Sequence, residues 1–112
     1  MYNTAYQECD MIKREDDIWV FPASIDFEKT ALYTKKYRDQ KDNTIYFFDL
    51  SGTRSLHTAF LGFLITVKQD LEKKGGRLIL TTSREIEELF RKMKITDFFT
   101  SSKNVEMLRK TA

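Results

Sequence analysis

Carboxylate, hydroxyl and imidazole groups gather in one short stretch of this 112-residue chain: Asp49, Ser51, Ser55, and His57, which is the only histidine. A nucleophilic hydrolase needs these three group types: an attacking hydroxyl, an imidazole base, and a carboxylate to orient the base. Nearness in sequence is weak support, because such sites are defined by geometry in space. Asp49 is also the kind of carboxylate that a phosphoacceptor receiver domain sets at a strand end, beside further acids that hold a divalent cation. The paired acids Asp16 and Asp17 instead fall in a turn, not between a strand and a helix. No GxxxxGK[ST] loop is present, and Gly75-Gly76 ends a helical pattern where a phosphate loop would open one. Cys9 has no CxxC partner, and one cysteine with one histidine cannot make a Cys/His zinc set. These residues predict neither catalysis, nor a cofactor, nor a metal.

The elements around that stretch alternate strands with helices. Residues 6–14 are strand-compatible, Glu15-Asp16-Asp17 reads as a turn, and Ile18 to Phe21 is a compact β-favouring run, so a hairpin is expected before Pro22. Asp26 is placed to cap a helix over residues 27–38. Residues 44–50 are the most apolar β-type segment and predict a central strand buried on both faces. The longest helix is expected over residues 58–74, closed by the left-handed turn that Gly75-Gly76 favours. Residues 77–81 predict another buried strand. Thr82 and Glu85 have capping-box spacing for a helix whose Ile86, Leu89, Phe90 and Met93 form a core stripe. Phe98-Phe99 reads as a last short strand or a docking anchor, and Asn104 as the cap of a C-terminal helix carrying Val105 and Leu108. Trp19, Phe21 and tyrosines 33, 37 and 46 are expected in or beside the core. The result is an α/β chain of order β-β-α-β-α-β-α, in which right-handed crossovers build a largely parallel sheet with the hairpin as an antiparallel edge.

Charge and composition narrow the class. Nineteen basic against seventeen acidic residues leave a net charge of +2, with no basic block to mark a nucleic-acid footprint. The aromatics lack the basic interleaving of a single-strand stacking platform. No repeat or linker divides the chain, so one domain spanning residues 1–112 is expected. No segment reads as a signal peptide or a membrane span, which predicts a soluble, cytoplasmic protein.

Several motifs carry a family resemblance. They are DLSG at residues 49–52, HTAFLGFL at 57–64, KKGGRLIL at 73–80 and EELFRKMKITDFF at 87–99, with a weaker match through PASIDF at 22–27. Together they resemble the STAS domains of bacterial anti-sigma factor antagonists. The resemblance implies a small mixed sheet packed with helices and a protein that binds other proteins. Laid on the family's D-S-S-G or D-T-x-G motif, His57-Thr58-Ala59-Phe60 puts the phosphorylated hydroxyl at Thr58. His57 stands where the family has an acid, Phe60 where it has glycine, and Ala23 replaces a further glycine before the first helix. The implied partner is an anti-sigma factor with serine-kinase activity, bound by a monomer or weak dimer. An alternative within the resemblance is the accessory STAS subunit of an ABC-type lipid-transport complex, whose motif often reads Thr-Ala as Thr58-Ala59 does. A structural subunit of a signalling assembly is a third.

Read physically, Thr58 belongs at the start of the long helix, where free N–H groups and the dipole's positive end stabilise a phosphate. The plainer reading makes Thr58 a helix cap only. Likewise His57, a lone histidine in a loop, reads first as a solvated or hydrogen-bonded residue, and alternatively as a partner for phosphate on Thr58. Apolar residues cover a wide arc of that helix, with Leu64 and Leu71 central and Phe63 and Ile65 at the two edges. Opposite them Thr58, Gly62 and Thr66 form an i, i+4, i+8 row. A solvent-facing helix glycine costs roughly 1 kcal/mol against alanine, so close approach of a partner backbone would give Gly62 a purpose. The expected partner surface is therefore His57, Thr58, Gly62, Thr66 and Phe63.

Overall fold

Four parallel strands, laid side by side in the order in which the chain makes them, carry the protein in its computed structural model, which describes residues 17–40 and 43–109. They are β1 (Asp17–Val20), β3 (Ile45–Leu50), β5 (Arg77–Thr82) and β6 (Val105–Arg109). Register runs straight across: Ile18 faces Phe47, Phe47 faces Ile79, and Ile79 faces Glu106. The expected first hairpin strand, and Cys9 within it, lie outside the described residues.

Between the strands come the helices α1 (Phe27–Asp39), α2 (Thr58–Lys74), α3 (Arg84–Lys92) and the short α4 (Thr96–Thr100). Successive crossovers of one hand between successive neighbours place every helix on the same side of the sheet. Burial follows this rule. Trp19, Tyr46, Phe48, Leu50, Leu78 and Leu80 point to the helices and are buried, whereas Ile18 and Val20 on the opposite face are exposed. β3 is therefore buried on one face and half-buried on the other, which corrects the expectation of a strand covered on both sides. An apolar run is compatible with either arrangement, and only the crossover geometry decides.

Several ends follow local chemistry. Asp26 caps α1 by accepting the Lys29 N–H at 2.8 Å. Gly75 takes the left-handed conformation at φ 75° that ends α2. The cap of α3 is Ser83, one residue after the Thr82 of the sequence reading, and it accepts the Ile86 N–H at 3.1 Å. In the α3 stripe Ile86 and Phe90 are buried, while Met93 is exposed.

The C-terminal expectations need two corrections. Phe98-Phe99 is helical, in α4, where Phe99 is buried and stacks on Phe90 at 5.5 Å. Asn104 starts no helix, because Val105 to Arg109 pair with β5 as the strand β6. Asn104 instead ties that strand to α2, its side chain donating to the Lys68 carbonyl at 2.9 Å.

Candidate functional site

Backbone contacts from three loops hold the start of α2. A two-stranded parallel patch, β2 (Ser24–Ile25) beside β4 (Ser55–Leu56), lies just before it. There the Ala23 carbonyl accepts the N–H groups of Arg54 and Ser55 at 2.8 and 3.2 Å, and the Ile25 carbonyl accepts that of His57 at 2.8 Å. Thr53, fully buried, anchors the approach. Its hydroxyl donates to the Pro22 carbonyl at 2.8 Å, and its own carbonyl accepts the Ser83 hydroxyl at 2.6 Å. One threonine thus links the loops that follow β1, β3 and β5. Asp49 closes the turn after β3, accepting the backbone N–H and the hydroxyl of Ser51 at 2.9 and 2.6 Å. This is a structural use of the carboxylate.

His57 holds the cap position of α2, with its Nδ1 accepting the Ala59 N–H at 2.9 Å. Its ring meets the exposed Phe27 edge-on at 5.7 Å. Thr58 is then the first helical residue, not the cap, and this corrects the plainer reading of its role. Its side chain is exposed and makes no hydrogen bond among the described residues.

The row expected opposite the core stands at the surface: Thr58, Gly62 and Thr66 are all exposed. Among the described residues a Cβ added at Gly62 would meet nothing within 4 Å, so none of them requires glycine there. Phe63 departs from the row. It is 5% exposed and stacks on Phe48 at 5.9 Å with ring planes 8° apart, so it is a core residue and not part of the exposed row. Ile65, at the other edge, is half-buried against the core.

Beside this row α1 and α2 part to leave a groove of about 760 Å³. Phe27 and Ala59 lie toward its start, Phe63 and Thr66 along it, and Arg38 and Lys74 toward the C-terminal ends of the two helices. At those ends the Tyr37 hydroxyl donates to Asp70 at 2.6 Å, and Lys74 approaches the same carboxylate at 3.4 Å. Burial, then the bond to Asp70, pushes the Tyr37 hydroxyl well above the ordinary tyrosine range. The Tyr37 bond in turn holds the Asp70 carboxyl below its ordinary value, opposed by desolvation and helped by Lys74.

Neither the Thr53–Ser83 link nor the Tyr37–Asp70 pair was found from sequence. Both join residues about thirty positions apart, with no local pattern to announce them. Among the described residues no group of three potential metal ligands comes together, and no helix is long and apolar enough to cross a membrane. The fold and its surface define an α/β protein with a parallel sheet covered by helices on one side. No family model and no curated protein matches the chain.

Proposed function

We propose that this chain is a non-catalytic protein-binding regulator resembling an anti-sigma factor antagonist. It docks an anti-sigma-type switch kinase over the start of α2 and is controlled by phosphate on Thr58. The observation that carries this reading is the freedom of the Thr58 hydroxyl. Because His57 supplies the cap, Thr58 can be modified without removing the bond that starts the helix.

A phosphate there carries roughly −1.5 to −2 charges at neutral pH and sits at the positive end of the α2 dipole. The first turn of α2 holds no acidic residue to oppose it. Along the same face Gly62 and Thr66 offer small, exposed positions that a partner backbone can approach closely. A charge placed at one end of that face disrupts a tightly packed interface by like-charge repulsion and desolvation.

The test uses the tagged chain as bait in its own cells, beside Thr58→Ala, Thr58→Glu and Gly62→Arg variants. An anti-sigma-type kinase should co-purify with the unmodified and Thr58→Ala baits, and at least about tenfold less with the other two. Phosphate should map to Thr58 in the unaltered chain. Recovery of a permease–ATPase pair would move the protein to the transport-accessory class. Equal recovery of one partner by all four baits would reject this docking face.

A further inference from the structure

The groove between α1 and α2 has chemistry that the Thr58 surface does not use. We infer that it binds a single-chain anionic amphiphile, a free fatty carboxylate of about a dozen carbons, its tail along α1 and α2 and its head at Arg38. The cavity, about 760 Å³, lies within the size range of small-molecule sites. Its walls are largely apolar. Phe27, Ala31, Ala59 and Phe63 line it beside Thr66 of α2, and the two threonines that α1 contributes have already bonded their hydroxyls to helix carbonyls. The Thr30 hydroxyl donates to the Asp26 carbonyl, and that of Thr34 to the Thr30 carbonyl, both at 2.9 Å. Neither therefore offers a free donor to a ligand's middle.

The length also fits. Phe27 and Arg38 are eleven residues apart on one helix, which is roughly 16 Å of rise and the reach of a medium-length acyl chain. Charge decides the direction. Lys74 pairs with Asp70, which also takes the Tyr37 hydroxyl, so that carboxylate is already satisfied. Arg38, exposed at the same end, has no carboxylate partner among the described residues. A guanidinium matches a carboxylate with two parallel hydrogen bonds. The other end, where Phe27 meets the His57 ring, places an aromatic edge where the tail would finish.

This inference is independent of the Thr58 reading, since the isolated, unmodified chain suffices to test it. Sodium dodecanoate is titrated into the protein below its micelle-forming concentration, with heat as the readout. Fluorescence of Trp19, the only tryptophan, is followed in parallel, because its ring lies 6.3 Å from Phe63. Saturable one-to-one binding is expected, and decanoate should bind roughly fifteenfold more weakly for its two missing methylenes. Dodecyltrimethylammonium, with the same tail and opposite head, should bind at least about tenfold more weakly. Ala31→Trp fills the groove from an exposed helix position and should abolish binding. Arg38→Gln should weaken it roughly threefold to tenfold. Val20→Lys, on the uncovered sheet face, should leave it unchanged. Absence of saturable binding, equal affinity for the cationic amphiphile, or full binding by Ala31→Trp would each overturn the inference.

Discussion

Replacing Gly62 with alanine separates what the chain needs from what a partner needs. Gly62 lies inside α2, five residues into a 17-residue helix, and is exposed. Among the described residues an added Cβ finds no atom within 4 Å, so the substitution introduces no clash with them. The remaining effect is conformational: alanine gives up less backbone freedom on folding, for a gain of roughly 1 kcal/mol in a helix interior. For a domain of this size that gain raises the melting temperature by about 4 °C. Far-UV circular dichroism melts measure the shift, and urea titration should show a higher midpoint with unchanged slope. A drop in stability would refute the reasoning, because it would mean that this face packs against something in the isolated protein. The companion Gly62→Arg variant should also fold, since the same open space receives the longer side chain, yet lose its partner. If both variants fold and both keep full partner affinity, the glycine is an unexploited weakness of the helix and the docking face lies elsewhere.

Four further perturbations address the supports of the site and of the fold around it. The lowered Asp70 carboxyl stabilises the fold fully above the ordinary aspartate value of about 3.9, and this is lost as pH falls through the folded-state value. Asp70→Asn should therefore flatten the acid side of a plot of urea midpoint against pH. The raised Tyr37 hydroxyl acts with the opposite sign: its contribution is complete below about pH 10 and is lost as pH climbs above that, so Tyr37→Phe should remove an alkaline loss of stability. Gly76→Ala would set a Cβ 2.3 Å from the Thr44 carbonyl oxygen, a backbone atom with little room to yield. Overpacking of this kind should lower the unfolding free energy by about 1–3 kcal/mol in urea titration. Ser83→Ala removes the α3 cap and leaves the Thr53 carbonyl without its donor, and thermal and urea unfolding should report a loss of about 2 kcal/mol.

Elements whose signals are local were readable from sequence. The bounds of α2 follow from its apolar periodicity and the glycine pair at its end, and Asp26 caps α1 as its side-chain chemistry suggests. The exposed Thr58, Gly62 and Thr66 row was legible too, because helical periodicity alone opposes it to the core residues Leu64 and Leu71. Misreadings arose where local spacing is ambiguous. Val105 and Leu108 are three apart, which suits a helix, yet Val105 and Met107 turn to the core side with the period of two that a strand requires. Pairing to β5 decides between the two readings, and that is a long-range fact. The cap of α2 was missed for a different reason. Thr58 is a good capping type, but the β2–β4 patch fixes His57 one residue earlier, with its N–H already held by Ile25. The groove had no signature at all, since Ala31, Arg38 and Ala59 become neighbours of one cavity only when α1 and α2 are laid side by side.

The monotonic strand order has a consequence for how the molecule assembles and comes apart. Each pair of neighbouring strands is joined by one crossover, with paired residues about thirty positions apart, and no strand is inserted between two made earlier. The sheet can therefore grow outward from a finished β3–β5 pair, one supersecondary unit at a time, without reopening anything already formed. Loss should retrace that path. Within the sheet the unit of α3, α4 and β6 pairs with the rest along β5 alone, and the Asn104 bond to the Lys68 carbonyl adds one tie to α2. The unit's amides should therefore exchange with solvent through a sub-global opening that leaves the β1–β3–β5 ladder protected. Ser83 and Thr53 bridge that seam, and their hydrogen bond would act as the latch between two cooperative units of unequal stability.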